Sequence, residues 1–494
     1  MDSSTVTRQR SAPEIRTMGE LPGPRAWPLV GNLLQIDQPR MHAQLEDWAD
    51  VHGSLYRLRL GGRDVLVVAR SDLIAGILRD RPDGWRRWST MENLIREIGS
   101  HGVFSAEGDD WRRQRRLVMA AFDPGHLKRY FPALVRVTER LRQRLDAAAR
   151  SGEAIDALSV LMRYTVDVTA GLAFGIDVNT QQVPENAIQN HLDKMFPKLF
   201  QRMNAPFPYW RYLRLPSDRA FDRHRAKVHE AVTGYIGMAR ERMQSNAGLR
   251  EQPTNLLEAL IAARDDGGAG LSEEELLGNV LTVLLAGEDT TANTLGWALY
   301  LLHTHRADWR SLVEEVDAAL AGDDLPRSFD VARGFDFIEA CVNETMRLRP
   351  VGPVFFMENN RETALDGVSV PRGTLVLCVM RKGAVDTRLA HDAAAFRPAR
   401  WREASPPDTA QVAGDAGSGR ALLKASMPFG SGPRLCPGRY LALLEMKMVL
   451  ATFARNYELV DVSTEDGAPP AERLAFTMFP EGLRIRVAPR AATR

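Results

Sequence analysis

The chain has 494 residues, 44% hydrophobic and 26% charged, with 64 basic against 63 acidic residues and a net charge of +1. That balance excludes a global field that recruits nucleic acid or an anionic membrane surface. Three cysteines exclude a disulfide framework, and an odd count in so long a chain fits a reducing, cytoplasmic setting.

Residues 1–20, MDSSTVTRQRSAPEIRTMGE, contain three arginines and no apolar core, which reads as a disordered N-terminal tail rather than a signal peptide. From Leu21 the segment LPGPRAWPLVGN is punctuated by Pro and Gly. Residues 54–69 alternate as two short strands joined at Gly61-Gly62. From about Trp111 to His305 apolar residues recur at three and four; over 139–150 Leu141 and Leu145 oppose the arginines. Ser272-Glu273-Glu274-Glu275 has the form of a capping box, and the helix it starts runs to about His305, roughly 50 Å. The most lipid-like run, Leu276 to Ala286, falls short of the ~20 residues a bilayer requires and is followed by Glu288 and Asp289, so no membrane span is expected. Leu375 to Met380 reads as a strand and the polar stretch 403–424 as a surface loop. With no repeat or linker, residues 21–494 are expected to form one large domain, mainly α with a smaller β region.

Two segments carry chemistry. In Phe429-Gly430-Ser431-Gly432-Pro433-Arg434-Leu435-Cys436-Pro437-Gly438 the glycines let the backbone bend and approach a flat ligand. Cys436 is placed just before a helix, where free N–H groups favour a thiolate able to act as nucleophile or metal ligand. A buried structural cysteine is the competing reading. A dinucleotide fingerprint is excluded, because GSGPRL lacks the third glycine and contains Pro433. In the long helix, Gly287-Glu288-Asp289-Thr290-Thr291 breaks an otherwise apolar pattern, and such a violation marks a site. Ala286 and Thr290 share a face beside Gly287. Asp289 with Thr290 has the form of a proton relay, against a capping or kink-stabilising cluster without chemistry.

FGSGPRLCPG resembles, position by position, the cysteine-loop pattern of cytochrome P450 haem-thiolate enzymes, and AGEDTT resembles the oxygen-activation motif of the same family. The resemblance implies the cytochrome P450 fold, a long central helix and a cysteine loop enclosing haem b, with Cys436 as the proximal metal ligand. It implies further that Arg434 meets a haem propionate, that Phe429, Gly430 and Gly438 shape the loop, and that Ala286 and Gly287 lie against the haem. Asp289 and Thr290 would deliver protons to the oxygen being activated. Glu344-Thr345-Met346-Arg347 is similar to the family's Glu-x-x-Arg helix, with Arg400 completing a structural triad; Ala399 departs from the family's usual glutamate. Trp111 and Arg115 match a Trp-x-x-x-Arg helix expected to reach a propionate.

Arg112, Arg113 and Arg116 give that helix a basic face, suited to an acidic electron donor or simply solvated. Residues 195–212, MFPKLFQRMNAPFPYWRY, correspond to the family's mobile lid. Val283, Ala286, Val351, Val354, Phe355, Thr477 and Met478 are expected to line a hydrophobic substrate pocket. The implied activity is insertion of one oxygen atom from O2 into an apolar organic substrate. Its electrons would come ultimately from NAD(P)H through a separate ferredoxin or flavodoxin and its reductase, with no nucleic-acid partner. A peroxide-driven oxygenase, a haem sensor or carrier, and a cysteine nucleophile remain as alternatives.

Overall fold

The computed structural model describes residues 15–490 apart from 123, 184–186, 206, 266–270 and 404–415. The alternation in residues 54–69 forms an antiparallel pair, β1 (Leu55–Leu60) and β2 (Arg63–Val68). With β3 (Trp85–Arg87), β4 (Val354–Asn359) and β5 (Leu375–Val379) they make a sheet in the order β1-β2-β5-β4-β3. β2 runs parallel to β5, Val65 opposite Leu375 and Val68 opposite Cys378. Val65–Val68 are covered on both faces, as an interior strand requires.

The N-terminal tail ends sooner than residue 20, which corrects the sequence expectation. Arg16–Thr17 pairs in parallel with Val368–Ser369, because Met18 and Leu21 are buried and anchor the segment. The part of the tail before residue 15 lies outside the described residues. The polar stretch 403–424 also differs from the expected loop: Ala416–Ser426 is helical, held by the buried Leu422 and Ala425.

Nine helices frame the site: α1 (Ser89–Glu97), α2 (Gly108–Ala121), α3 (Pro124–Ser151), α4 (Ala157–Phe174), α5 (Ala187–Met203), α6 (Pro216–Ser245), α7 (Glu273–Thr304), α8 (Asp336–Leu348) and α9 (Arg439–Asn456). The capping box starts α7 as expected: Glu275 N–H donates to Ser272 Oγ (3.1 Å) and Ser272 N–H to the Glu275 carboxylate (2.8 Å). α4 is long and apolar enough to cross a bilayer, but most of it is buried, packed against α3 and α7. Its contact with α7 is close because Gly287 has no side chain; a Cβ there would lie 2.4 Å from Thr169 Oγ1. Thr165 Oγ1 donates to the Glu288 carbonyl, 3.0 Å away, and adds a polar tie between the two helices.

Candidate active site

The cysteine loop folds on its own backbone before α9 begins. Gly430 N–H donates to the Met427 carbonyl (2.8 Å) and Cys436 N–H to the Phe429 carbonyl (3.0 Å). Gly430 takes φ +80°, with open space where a side chain would stand. Gly438 precedes α9, and a Cβ on it would stand 4.0 Å from Cys436 Sγ. Cys436 is partly exposed as a residue, whereas Cys341 and Cys378 are buried. The helix terminus acts on this thiol against an opposing effect of burial. Burial pushes the Cys436 pKa up, and the Gly438 N–H with the charges of Arg115 and Arg439 offsets this incompletely. A bound cation is what would turn this thiol into a thiolate.

Buried guanidinium groups flank the loop. Arg434 donates to the Ala106 carbonyl (2.7 Å) and to Glu107 (2.6 Å), and lies 4.6 Å over the buried Trp111 ring. Arg115 on α2 donates to the Leu435 carbonyl. Arg81, 3.7 Å from Glu107, and Arg87, 3.7 Å over the Phe104 ring, complete the group. Burial and the neighbouring Arg81 push the pKa of Arg434 down to about 9; burial, Arg81 and Arg434 do the same to Arg87. Glu107 is the carboxylate that Arg81, Arg87 and Arg434 share, and Arg81 Nε, Arg81 Nη2 and Arg434 Nε have no hydrogen-bond partner. This is a site short of negative charge. Trp111, Arg115 and Arg434 were legible in the sequence as a group. Arg81 and Arg87 were not, although the arginine-rich stretch RDRPDGWRRW was the available signal.

Glu344, Arg347 and Arg400 converge as the sequence pattern implies. Arg347 meets Glu344 bidentately at 2.8 Å on both oxygens, Arg400 Nε donates to Glu344 at 2.9 Å, and all three are buried. Trp401 Nε1 and Arg397 N–H, both at 2.9 Å, fill the remaining acceptor sites of the carboxylate. Arg347 also donates to the carbonyls of Ala384 and Ala395 (2.8 and 2.9 Å), so the pair ties α8 to the chain leading toward the cysteine loop.

The middle of α7 is uncovered in an otherwise buried helix: Ala286 is exposed and Thr290 half-buried, while Thr291 to Leu299 are all buried. Thr290 Oγ1 donates to the Ala286 carbonyl (3.0 Å). Asp289 accepts from Thr477 Oγ1 at 3.4 Å, and Thr477 Oγ1 accepts from Asn293 at 3.0 Å. Gly287 faces Thr169 of α4, and its lack of a side chain lets the two helices approach.

A cavity of about 60 Å3 lies beside Ala286, walled by Met91, Leu94, Ile95 and Ile98 of the α1 region, Leu199 and Met203 of α5, Phe104, Leu285 and Phe476, with Ser100 and Thr282 as its hydroxyls. Of the expected pocket residues Ala286 is in this wall. Val283, Val351, Val354 and Phe355 are not, Met478 is fully buried in the core, and Thr477 is turned to Asp289 and Asn293. The expected lid segment does contribute, through Leu199 and Met203. Its turn is tied to α1 by Glu97, which accepts from Trp210 Nε1 (3.0 Å) and Arg211 Nε (2.8 Å). The basic face of α2 is largely neutralised: Arg112 meets Asp83 and Asp109, and Arg113 meets Glu275 and Asp110, leaving Arg116 exposed.

The family model described as cytochrome P450 matches residues 21–487. The chain is 28% identical to pentalenene oxygenase of Streptomyces avermitilis over 471 residues, covering 94% of this chain and 97% of that protein. It is 26% identical to cytochrome P450 3A15 of Cavia porcellus over 450 residues, 88% and 85% of the two chains. It is 25% identical to LUTEIN DEFICIENT 5, chloroplastic, of Arabidopsis thaliana over 456 residues, 89% and 72%. The donor set fits the haem this family carries: the thiol of the partly exposed Cys436 as iron ligand, and the surplus buried guanidiniums for two propionates. Thiol loop, buried triad, uncovered helix and family match agree, and the chain belongs to the cytochrome P450 family of haem-thiolate monooxygenases.

Proposed function

We propose that this protein inserts one oxygen atom from O2 into a hydrophobic organic substrate, with electrons from NAD(P)H delivered by a separate ferredoxin or flavodoxin and its reductase, in the cytoplasm. The observation that carries the reading is Cys436, partly uncovered and flanked by buried guanidiniums that lack a matching number of acids. Bound haem supplies the redox chemistry that activates dioxygen. The chain's own residues position the substrate and handle protons. The Thr290 hydroxyl commits its proton to the Ala286 carbonyl, so its lone pairs are free to order a water or accept a proton donor on the cavity side. Asp289, steadied by Thr477, exchanges protons with solvent. The apolar walls from α1 and α5 exclude water from the reacting carbon. Three unpaired cysteines support the reducing location.

A peroxide-driven oxygenase would have no use for the Asp289–Thr290 pair, which favours the O2-dependent reading. Two measurements test it. The reduced carbon-monoxide complex should show the strongly red-shifted Soret band of thiolate ligation; a globin-like band overturns Cys436 as ligand. Thr290→Ala should release peroxide or water at the expense of product while Thr290→Ser retains coupling. Unchanged coupling in Thr290→Ala overturns the relay.

A further inference from the structure

Phe104 belongs to two parts of the site at once. It stands in the wall of the cavity beside Ala286, its ring 6.4 Å from that of Phe476 in the same wall. The same ring carries the Arg87 guanidinium, 3.7 Å from its centroid, and Arg87 Nε donates to the Phe104 carbonyl at 3.1 Å. One side chain thus grips both the ring and the backbone of a wall residue. A planar guanidinium can do this because its face stacks while an N–H at its edge reaches the carbonyl.

Arg87 also belongs to the charged cluster. It ends β3, opposite Met357 of β4, and its backbone N–H donates to Glu107 at 3.0 Å. Arg81 and Arg434, the ion-pair partners of Glu107, lie close enough for their charges to oppose that of Arg87. Its Nε is spent on Phe104, and neither of its Nη groups meets an acceptor among the described residues. A guanidinium held away from water in this way is costly until an anion meets its free edge. The carboxylates that the family's haem carries are anions of the right kind for that edge.

We propose that Arg87 is a positioning residue that ties the haem carboxylates to the substrate wall. A carboxylate on its Nη groups fixes the guanidinium, and the guanidinium fixes the Phe104 ring, against which a flat apolar group of the ligand packs. The inference rests on the haem reading and deepens it by naming the residue that sets this part of the wall. Linkage makes the effect mutual. A ligand that packs on Phe104 holds the haem more firmly, and one that stops short of the ring does not.

The test uses the haem-loaded enzyme with imidazole and 4-phenylimidazole, which share the iron-binding ring and differ by a flat apolar group. Dissociation constants are read from the Soret shift, and haem loss as transfer to excess apomyoglobin. Arg87→Lys keeps the charge but gives up the stack and the Nε bond, and should lower the preference for 4-phenylimidazole about 5-fold. Made in a Phe104→Leu background, the same substitution should change the preference by less than about 2-fold. Phe104→Leu by itself should speed haem loss, although neither side chain can meet a carboxylate, whereas Phe104→Tyr should not. In the unaltered protein saturating 4-phenylimidazole should slow haem loss more than saturating imidazole does, and Phe104→Leu should abolish the difference. An undiminished preference in Arg87→Lys, an equal drop with and without Phe104, or haem loss in Phe104→Leu at the unaltered rate would each overturn the link. Should Arg87→Lys take up too little haem to titrate, the two Phe104 variants decide alone. The carbon-monoxide spectrum separates the two levels: loss of the thiolate band in the unaltered enzyme defeats the haem reading itself, whereas an intact band with an unchanged preference in Arg87→Lys defeats the link alone.

Discussion

Arg434 and Glu107, 327 residues apart in sequence, stand 2.6 Å apart beside Cys436, and Glu107 is also the acid nearest Arg81. One carboxylate thus serves several buried guanidiniums, and the cluster is poised for an anion.

Glu107→Gln should destabilise the haem-free protein by about 3 kcal/mol, since it leaves Arg434 and Arg81 without their acid. The haem-loaded protein should lose less, because propionates restore negative charge. Unfolding midpoints of both forms check this; equal losses would show that the cluster does not receive the propionates.

Arg347→Lys keeps the charge but removes the bidentate contact to the buried Glu344 and the donors to the Ala384 and Ala395 carbonyls. A cost of about 3–5 kcal/mol is expected. It should appear as low soluble yield and low haem content measured against total protein.

Gly287→Ala separates packing from ligand contact. The new methyl would collide with Thr169, and overpacking of this kind costs about 1–3 kcal/mol. Adding Thr169→Ala should recover most of the loss in thermal stability. Failure of that rescue, together with altered haem absorbance, would instead place Gly287 against the ligand.

Glu472 gives a pH dependence of defined sign. Burial would raise its pKa, but the hydrogen bond from His42 and the charges of Arg381 and Arg349 outweigh burial and hold it at about 2. A lowered pKa means that the folded state binds its proton less readily than the unfolded chain does. The stabilisation is therefore complete above the ordinary value of 4.5 and lost as pH falls from there toward 2. Glu472→Gln should lower the melting temperature at neutral pH, and the gap to the unaltered protein should narrow below pH 4.5. A constant gap from pH 7 to pH 3 would contradict this.

Much of the architecture was readable because it is local. The Ser272–Glu275 capping box, the Gly61-Gly62 turn and the period of the central helix depend on neighbours a few residues away, and the structure repeats them to within a residue or two. The 416–426 helix and the strand at Arg16 were not legible, since each is held by burial against distant chain and not by its own pattern. Which apolar residues stand beside the cavity at Ala286 was not legible. Apolar residues near a motif look alike in sequence, and whether Met478 faces the core or a ligand is decided by its partners.

By itself the sequence determined the family and the buried triad, and it singled out Cys436 and the Asp289–Thr290 pair, because each is a fixed spacing of residues whose chemistry is scarce. Only the tertiary structure decided that Arg81 and Arg87 join Arg434, that Gly287 lets α7 pack against Thr169, and that Ser100 meets Thr282. Those outcomes depend on charge balance and close approach between segments up to some 350 residues apart, and such quantities have no value until the chain has folded.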